Sequence, residues 1–303
     1  MIFLQQVING LTTGMLFALV AIGYTMVYGI IELINFAHGD LFMLGSFYAL
    51  TVITGLQGMG VSAAGLLAAL PVVFLLSMAF CALLNVGVDF LVYKPLRRAP
   101  KLTPLVSAIG VSFVFMGIGQ VWKGVYDLHF PDLLPNTNLL GEGASLRFTG
   151  KDLAVFLVTV PLMLGLSVFV RTTRLGKAMR ATAQNPVAAQ LMGINVNLVI
   201  GATFVIGGAL AGAASVIYGL SVNTVSFQMG YQNGLYAFTA AVLGGIGNLP
   251  GAMLGGIVIG LIRSLGSQYV GEQWTSALVF AILILILVFR PSGLLGARTR
   301  EKV

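Results

Sequence analysis

VINGLTTGMLFALVAIGYTMVYGII, residues Val7 to Ile31, carries no charged side chain. It is longer than the roughly 20 apolar residues a helix needs to cross the hydrocarbon core of a bilayer. In lipid such a stretch must be helical, because only then do its backbone N–H and C=O groups find partners within the segment. The rest of the chain repeats the theme: 58% of its 303 residues are hydrophobic and 8% charged, where a soluble domain has about a quarter charged. The few charges gather in short clusters between apolar runs, so the bilayer is the solvent. This composition supplies about eight or nine crossings and leaves little for a soluble domain.

Further long runs occupy Leu66 to Val88, Leu102 to Val121, Leu153 to Val170 and Leu198 to Leu220. Shorter ones, Leu41 to Leu56, Leu235 to Gly247, Ala252 to Leu265 and Trp274 to Phe289, read as broken or tilted helices. The chain opens Met-Ile-Phe-Leu-Gln-Gln without the basic segment of a secretory signal, so the first span is expected to persist. Cys81, the single cysteine, lies inside an apolar run and reads as a small core residue.

Three basic clusters set the sidedness: Lys94, Arg97, Arg98 and Lys101; Arg171, Arg174, Lys177 and Arg180; Arg290, Arg298, Arg300 and Lys302. All three are expected in the cytoplasm. The basicity is therefore topological and implies no nucleic-acid partner. The linker from Lys123 to Asp152, whose acids Asp127, Asp132, Glu142 and Asp152 outnumber its bases, belongs outside. For the basic tail to end inside, the stretch Gly234 to Leu265 must leave and return, turning at Gly245, Gly247, Asn248, Pro250 and Gly251. The small-residue spacings Gly251/Gly255 and Gly256/Gly260 suit close helix contact, and Arg263, near the outer end of its helix, can snorkel.

The count is then eight to nine transmembrane or half-spanning helices, with the N-terminus outside and the C-terminus inside. Four segments on each side of a central helix make two inverted repeats. One transmembrane domain covers 1–303, with a first repeat over about 7–122, a linking helix over 153–170, a basic connecting segment over 171–197 and a second repeat over about 198–290. Tyr28-Gly29 before Phe36 and Gly39 echoes Tyr218-Gly219 before Phe227 and Gly230, with a one-residue slip.

The densest intramembrane polarity is Glu32, Asn35, His38, Gly39 and Asp40. A carboxylate at the bilayer centre costs roughly 3 kcal/mol, so this stretch either lines a hydrated solute path or is a turn capping two helices. Gly39 permits a break, and Asp40 suits the N-cap of a helix starting at Leu41. His38 reads either as a path residue or as a structural hydrogen-bond partner. The second-half counterpart, Ser226 to Asn233 with Gln228, Tyr231, Gln232 and Asn233, is polar and uncharged. It reads as a lining suited to a zwitterion or as an exposed turn.

After the second basic cluster comes Asn185-Pro186 through Ala188, Ala189, Leu191 and Met192 to Gly193. This reads as an Asn N-cap, Pro at the first helical position and Gly at C′. A short helix with an apolar knob suits either a docking site for a cytoplasmic protein or an interfacial helix on lipid headgroups. Gly176-Lys177 is followed by Ala178 and fails the phosphate-loop pattern. With only His38 and His129, no group has metal-ligand spacing. The expectation is a transport subunit with no cofactor and no metal, and with ATP, if used, bound by another polypeptide.

Three stretches, Gly29 to Asp40, Arg180 to Ile194 and Val242 to Ala252, together resemble the integral-membrane permeases of branched-chain amino-acid ABC importers, of the LivH type. The resemblance extends over nearly the whole chain. It implies a multi-pass protein of the bacterial inner membrane and a coupling segment from Arg180 to Ile194 received by a cytoplasmic ATPase. The implied partners are a second, LivM-like permease, two ATPase subunits and a periplasmic solute-binding protein. Leucine, isoleucine and valine, other amino acids, amides and urea are all solutes of similar permeases. The rivals are a secondary transporter in which Glu32, His38 and Asp40 take a proton, and a passive channel for a small neutral solute.

Overall fold

The computed structural model describes residues 1–31, 35–97, 99–100, 102–141 and 143–296. The chain is an all-α bundle opened by α1 (Ile2–Ile31) and α2 (Ala37–Gly58). Next, α3 (Ala63–Val88) runs on through a π-helical turn (Asp89–Tyr93) into the short α4 (Lys94–Leu96). α5 (Leu102–Lys123) leads to the outer linker, where β1 (Leu128–His129) lies. α6 (Gly150–Thr172), α7 (Arg174–Gln184) and α8 (Pro186–Leu191) then precede α9 (Val196–Val222) and β2 (Thr224–Val225). Finally come α10 (Met229–Gly244), α11 (Leu249–Tyr269) and α12 (Glu272–Phe289). Eight of these helices are long and apolar enough to span a bilayer, among the described residues. The 16-residue α10 is shorter. Three of the four runs that read as broken are in fact span-length, because each helix extends through small and polar residues beyond its apolar stretch.

In lipid, water does not drive helices together, and close packing must do it. Glycines provide that approach at two long seams. α1 meets α11 where a Cβ on Gly14 would stand 2.8 Å from the Ile257 backbone, and Gly256 and Gly260 press on Ala18 and Gly14. α9 meets α3 where a Cβ on Gly208 would stand 2.8 Å from the Ala82 backbone and one on Gly212 2.7 Å from that of Met78. The spacing Gly256/Gly260 therefore serves α1, while Gly251 and Gly255 meet Gly244 and Ala240 of α10. α1, α2 and α9 are mostly buried; α5, α6 and α12 present most of their surface outward. Cys81 is buried in the core.

The two ends of the bundle differ in charge. At one end Gln5 accepts from Arg147 N and donates to Arg147 O, fixing the N-terminus to the outer linker. β1 pairs with β2 there in antiparallel register, Leu128 opposite Val225. Lys151 bonds Asn223 and lies 2.8 Å from Asp132, and Thr149 with Asp152 forms a capping box that starts α6. At the other end Arg97 bonds Asn197 at the start of α9, and Arg180 bonds the Val170 carbonyl. A small cleft there brings Gly29, Val170, Arg180 and Gly247 together. The described members of the three basic clusters thus share one end, as the charge pattern predicts. Arg98, Lys101, Glu142, Arg298, Arg300 and Lys302 lie outside the described residues.

The turn between α10 and α11 falls where the Gly/Pro stretch predicts it. Gly245 (φ +105°) and Gly247 (φ +86°) take left-handed conformations that side chains rarely adopt. Asn248 caps α11 by accepting from Gly251 N, and Pro250 occupies its first turn. The chain after α12 returns to this turn: Leu294 N–H donates to Leu243 O, Leu295 N–H to Gly244 O, and Asn248 Nδ2 to Leu295 O.

Arg263 is a correction. Its guanidinium lies 5.0 Å from the Tyr236 ring and 5.6 Å from that of Phe17, midway along α1. It turns inward onto aromatic faces instead of snorkelling outward, exchanging water for cation–π contact.

Candidate functional site

The α1–α2 junction begins one turn earlier than its sequence suggests. α2 starts at Ala37, so Gly39 sits inside its first turn, with no break there. Asp40 does not cap a helix: Asp40, 1% exposed, accepts instead from the Ser112 hydroxyl of α5. An Asp preceding a leucine run looks like a cap, but Phe36 and Ala37 already carry the helical backbone. Glu32 lies outside the described residues.

Around Asp40 the structure gathers groups from α1, α2, α3, α5 and α9. Gly39 N–H donates to Tyr24 Oη at 3.1 Å. Tyr24 packs edge-on to His38, ring centroids 4.7 Å apart. His38 is fully buried, and the Val20 backbone lies within hydrogen-bonding reach of its ring. Its ring fills the space left by Gly23, where a Cβ would stand 2.8 Å from His38 Cε1. Asn35 Nδ2 donates to Asn85 Oδ1 at 3.3 Å, and Asn85 Nδ2 to Phe204 O at 2.7 Å, tying the junction to α3 and α9. Asp40 Oδ1 and Asn35 Oδ1 are buried without partners. Buried polar groups left unmatched each cost on the order of 1–3 kcal/mol, so this cluster departs from what stability alone would select.

α10 crosses α2 here through glycine. A Cβ on Gly39 would stand 2.8 Å from Gly234 Cα, and one on Gly230 2.9 Å from Asp40 Cα. The echo positions Gly39 and Gly230 therefore touch. Of the second-half residues, Asn233 is buried, Tyr231 borders the cavity that opens beside this crossing, and Gln228 and Gln232 are exposed outside it. Tyr24, Asn85 and Ser112 escape a reading of the sequence because each is an isolated polar residue in an apolar run. Only the fold brings Ser112 to Asp40.

At the basic end, Asn185 Oδ1 accepts from Val187 N and Ala188 N, both at 3.0 Å. Pro186 is the first residue of α8, and Gly193 follows its end with φ +81°. Ala189 is buried, whereas Leu191 and Met192 are 84% and 83% exposed and project as an apolar tip. The preceding α7 was not legible as a separate helix. It is capped by Thr173, whose hydroxyl accepts from Gly176 N. Near its end of the bundle, Arg97 reaches from α3's extension to Asp89 at 2.7 Å and also to Asn197. This pins the π-helical turn to the segment following α8.

An all-helical bundle with a polar junction against a flank cavity, and a short apolar-tipped helix on its basic side, defines a membrane permease subunit. The chain belongs to the family of the permease component of branched-chain amino acid transport systems, which it matches over residues 6–288. It is 42% identical to the high-affinity branched-chain amino acid transport system permease protein BraD of Pseudomonas aeruginosa, over 99% of this chain and 98% of that protein. It is 40% identical to the permease protein LivH of the same kind of system in Escherichia coli K12, with the same coverage. The permease protein LivM of E. coli K12 is 24% identical over 94% of this chain and 68% of its own length. No solved structure matches the chain.

Proposed function

We propose that the chain is a membrane-spanning subunit of an ATP-driven importer for branched-chain or related amino acids in a bacterial inner membrane. The observation that carries this reading is its likeness, across nearly its full length, to permeases of high-affinity branched-chain amino acid systems. The chain has no phosphate loop, so two cytoplasmic ATPase subunits supply the free energy, and a periplasmic binding protein delivers the solute to the acidic linker side. The N-terminus is periplasmic and the C-terminus cytoplasmic.

α8, through Leu191 and Met192, docks into an ATPase subunit, and Arg97 with Asp89 and Asn197 carries its displacement into α3. Asn85 passes this on to Asn35 at the α1–α2 junction. The segments on either side of α6 act as two inverted repeats. In favour of this, α1 packs on α11 as α9 packs on α3, and Gly39 meets its echo Gly230. The solute path follows the two junctions, with Glu32, Asn35, His38, Gly39 and Asp40 from the first and Gln228, Tyr231, Gln232 and Asn233 from the second. The bundle centre is filled by α1, α2 and α9, and the cavity opens on the flank. A second, LivM-like permease therefore supplies the missing wall. Access alternates between the two faces as the repeats tilt.

Proteoliposomes test the reading. Uptake of leucine that requires the ATPase subunits, the binding protein and lumenal ATP on the cytoplasmic face supports it. Uptake driven by a pH gradient without ATPase overturns it in favour of a secondary transporter.

A further inference from the structure

Between α1, the residue preceding α2, α5 and α10 lies a cavity of about 450 Å³, within the range of roughly 300–1,000 Å³ typical of small-molecule sites. Most of its wall is apolar, with Phe36, Phe113, Met116 and Phe238 prominent. Of its polar lining residues Tyr231 is largely exposed, while Tyr24 and Ser112 mark a corner where Gly230 contributes no side chain. Asp40 stands directly behind that corner. Its Oδ2 accepts from Ser112, its Oδ1 has no hydrogen-bond partner, and a Cβ on Gly230 would stand 2.8 Å from Oδ1. The Tyr24 oxygen accepts from Gly39 N–H, leaving its own O–H proton to be donated elsewhere.

The chemistry of this corner selects a ligand. A buried carboxylate with one hydroxyl donor is under-satisfied, and an ammonium group brings up to three further donors. A free phenolic O–H beside it serves an anionic oxygen. The aromatic and thioether wall accepts an aliphatic body and offers no second acid to a doubly cationic solute. A bare ion leaves the wall unused, and a sugar or an amide lacks the cation that the carboxylate calls for. An α-amino acid with an apolar side chain meets all three demands at once.

We propose that the Tyr24, Asp40 and Ser112 corner is a solute subsite. Asp40 and Ser112 receive the ammonium group, Tyr24 O–H the carboxylate, and Phe113, Met116 and Phe238 the aliphatic chain. Asp40 becomes accessible when α2 and α10 part at the Gly39–Gly230 contact, so the glycine crossing works as the cover of the subsite. This rests on the permease reading given above and adds to it the place and orientation of the solute.

The test uses the complete reconstituted complex with a diazirine-bearing leucine analogue, irradiated during ATP-driven turnover, and peptide mapping of the label. Label is expected on Phe113, Met116 or Phe238 and should be competed away by leucine. Asp40→Asn, which preserves the shape and a partner for Ser112, is expected to lower the initial rate of leucine uptake at least tenfold, the scale of losing a charge-assisted hydrogen bond. Met116→Trp should fill the cavity and act likewise. If wild type imports leucine but the label falls elsewhere on the chain, or Asp40→Asn keeps uptake within twofold, the subsite is refuted while the permease reading stands. If Asp40→Asn fails to assemble, the label on the unaltered chain decides. If wild type imports no amino acid at all, the permease reading itself has failed.

Discussion

The two helix junctions, Asn35 to Asp40 before α2 and Ser226 to Asn233 before α10, occupy matching places in the chain and handle polarity in opposite ways. The first withdraws Asn35, His38 and Asp40 into the protein. The second leaves Gln228, Tyr231 and Gln232 exposed and, of its polar side chains, buries only Asn233. Charge explains the difference: an ionisable group held at membrane depth needs protein around it, because lipid offers no partner, whereas amides can remain at a hydrated margin. Matching topology thus yields one anchored junction and one open one, and they touch at Gly39 and Gly230.

The sharpest way to break this comparison is at that contact. Gly39→Val and Gly230→Val each place carbon against the backbone of the facing helix, at the upper end of the roughly 1–3 kcal/mol cost of overpacking. Both are expected to abolish properly folded protein in the membrane, as read by thermal aggregation in detergent. Next, Asn85→Ala strands the Asn35 amide and removes the second donor to the Phe204 carbonyl, and should destabilise by about 1–3 kcal/mol. A double-mutant cycle with Asn35→Ala should return a coupling on the order of 0.6 kcal/mol, and zero coupling would separate the junction from α3. Asn185→Ala removes the α8 cap, about 1 kcal/mol. Together with Met192→Glu it should leave the protein inserted and ATP hydrolysis running while uptake falls, and unchanged uptake would refute α8 as the docking element. The smallest effects belong to the open junction. Gln228→Ala and Gln232→Ala should shift stability by less than about 0.5 kcal/mol and uptake by less than twofold. Losses equal to those at Asn85 would erase the contrast.

How much of this was visible in the residues follows from where the determining forces lie. Lipid demands long apolar helices, so the spans are written in runs such as Val7 to Ile31, and the common end of the described basic residues in their clusters. Local capping chemistry made α8 legible from Asn185, Pro186 and Gly193, and the turn from Gly245 to Gly251. The site was half legible: Asp40 stood out as an acid in an apolar chain, but its partner Ser112 lies 72 positions away. A lone serine in a hydrophobic run has no local mark. The reading of Asp40 as a cap failed for a related reason, since a carboxylate prefers the backbone in isolation and a tertiary hydroxyl here. The inward turn of Arg263 likewise depends on Phe17 and Tyr236, which nothing near it in the chain announces.

The backbone bonds from Leu294 and Leu295 to the end of α10 have a consequence for biogenesis. The last carbonyls of the short α10 are closed by a stretch that leaves the ribosome only after α11 and α12. Insertion of the earlier helices therefore cannot complete this part of the protein. A nascent chain arrested before residue 294 should already be threaded through the membrane, yet should still present α10 to proteases as a frayed end.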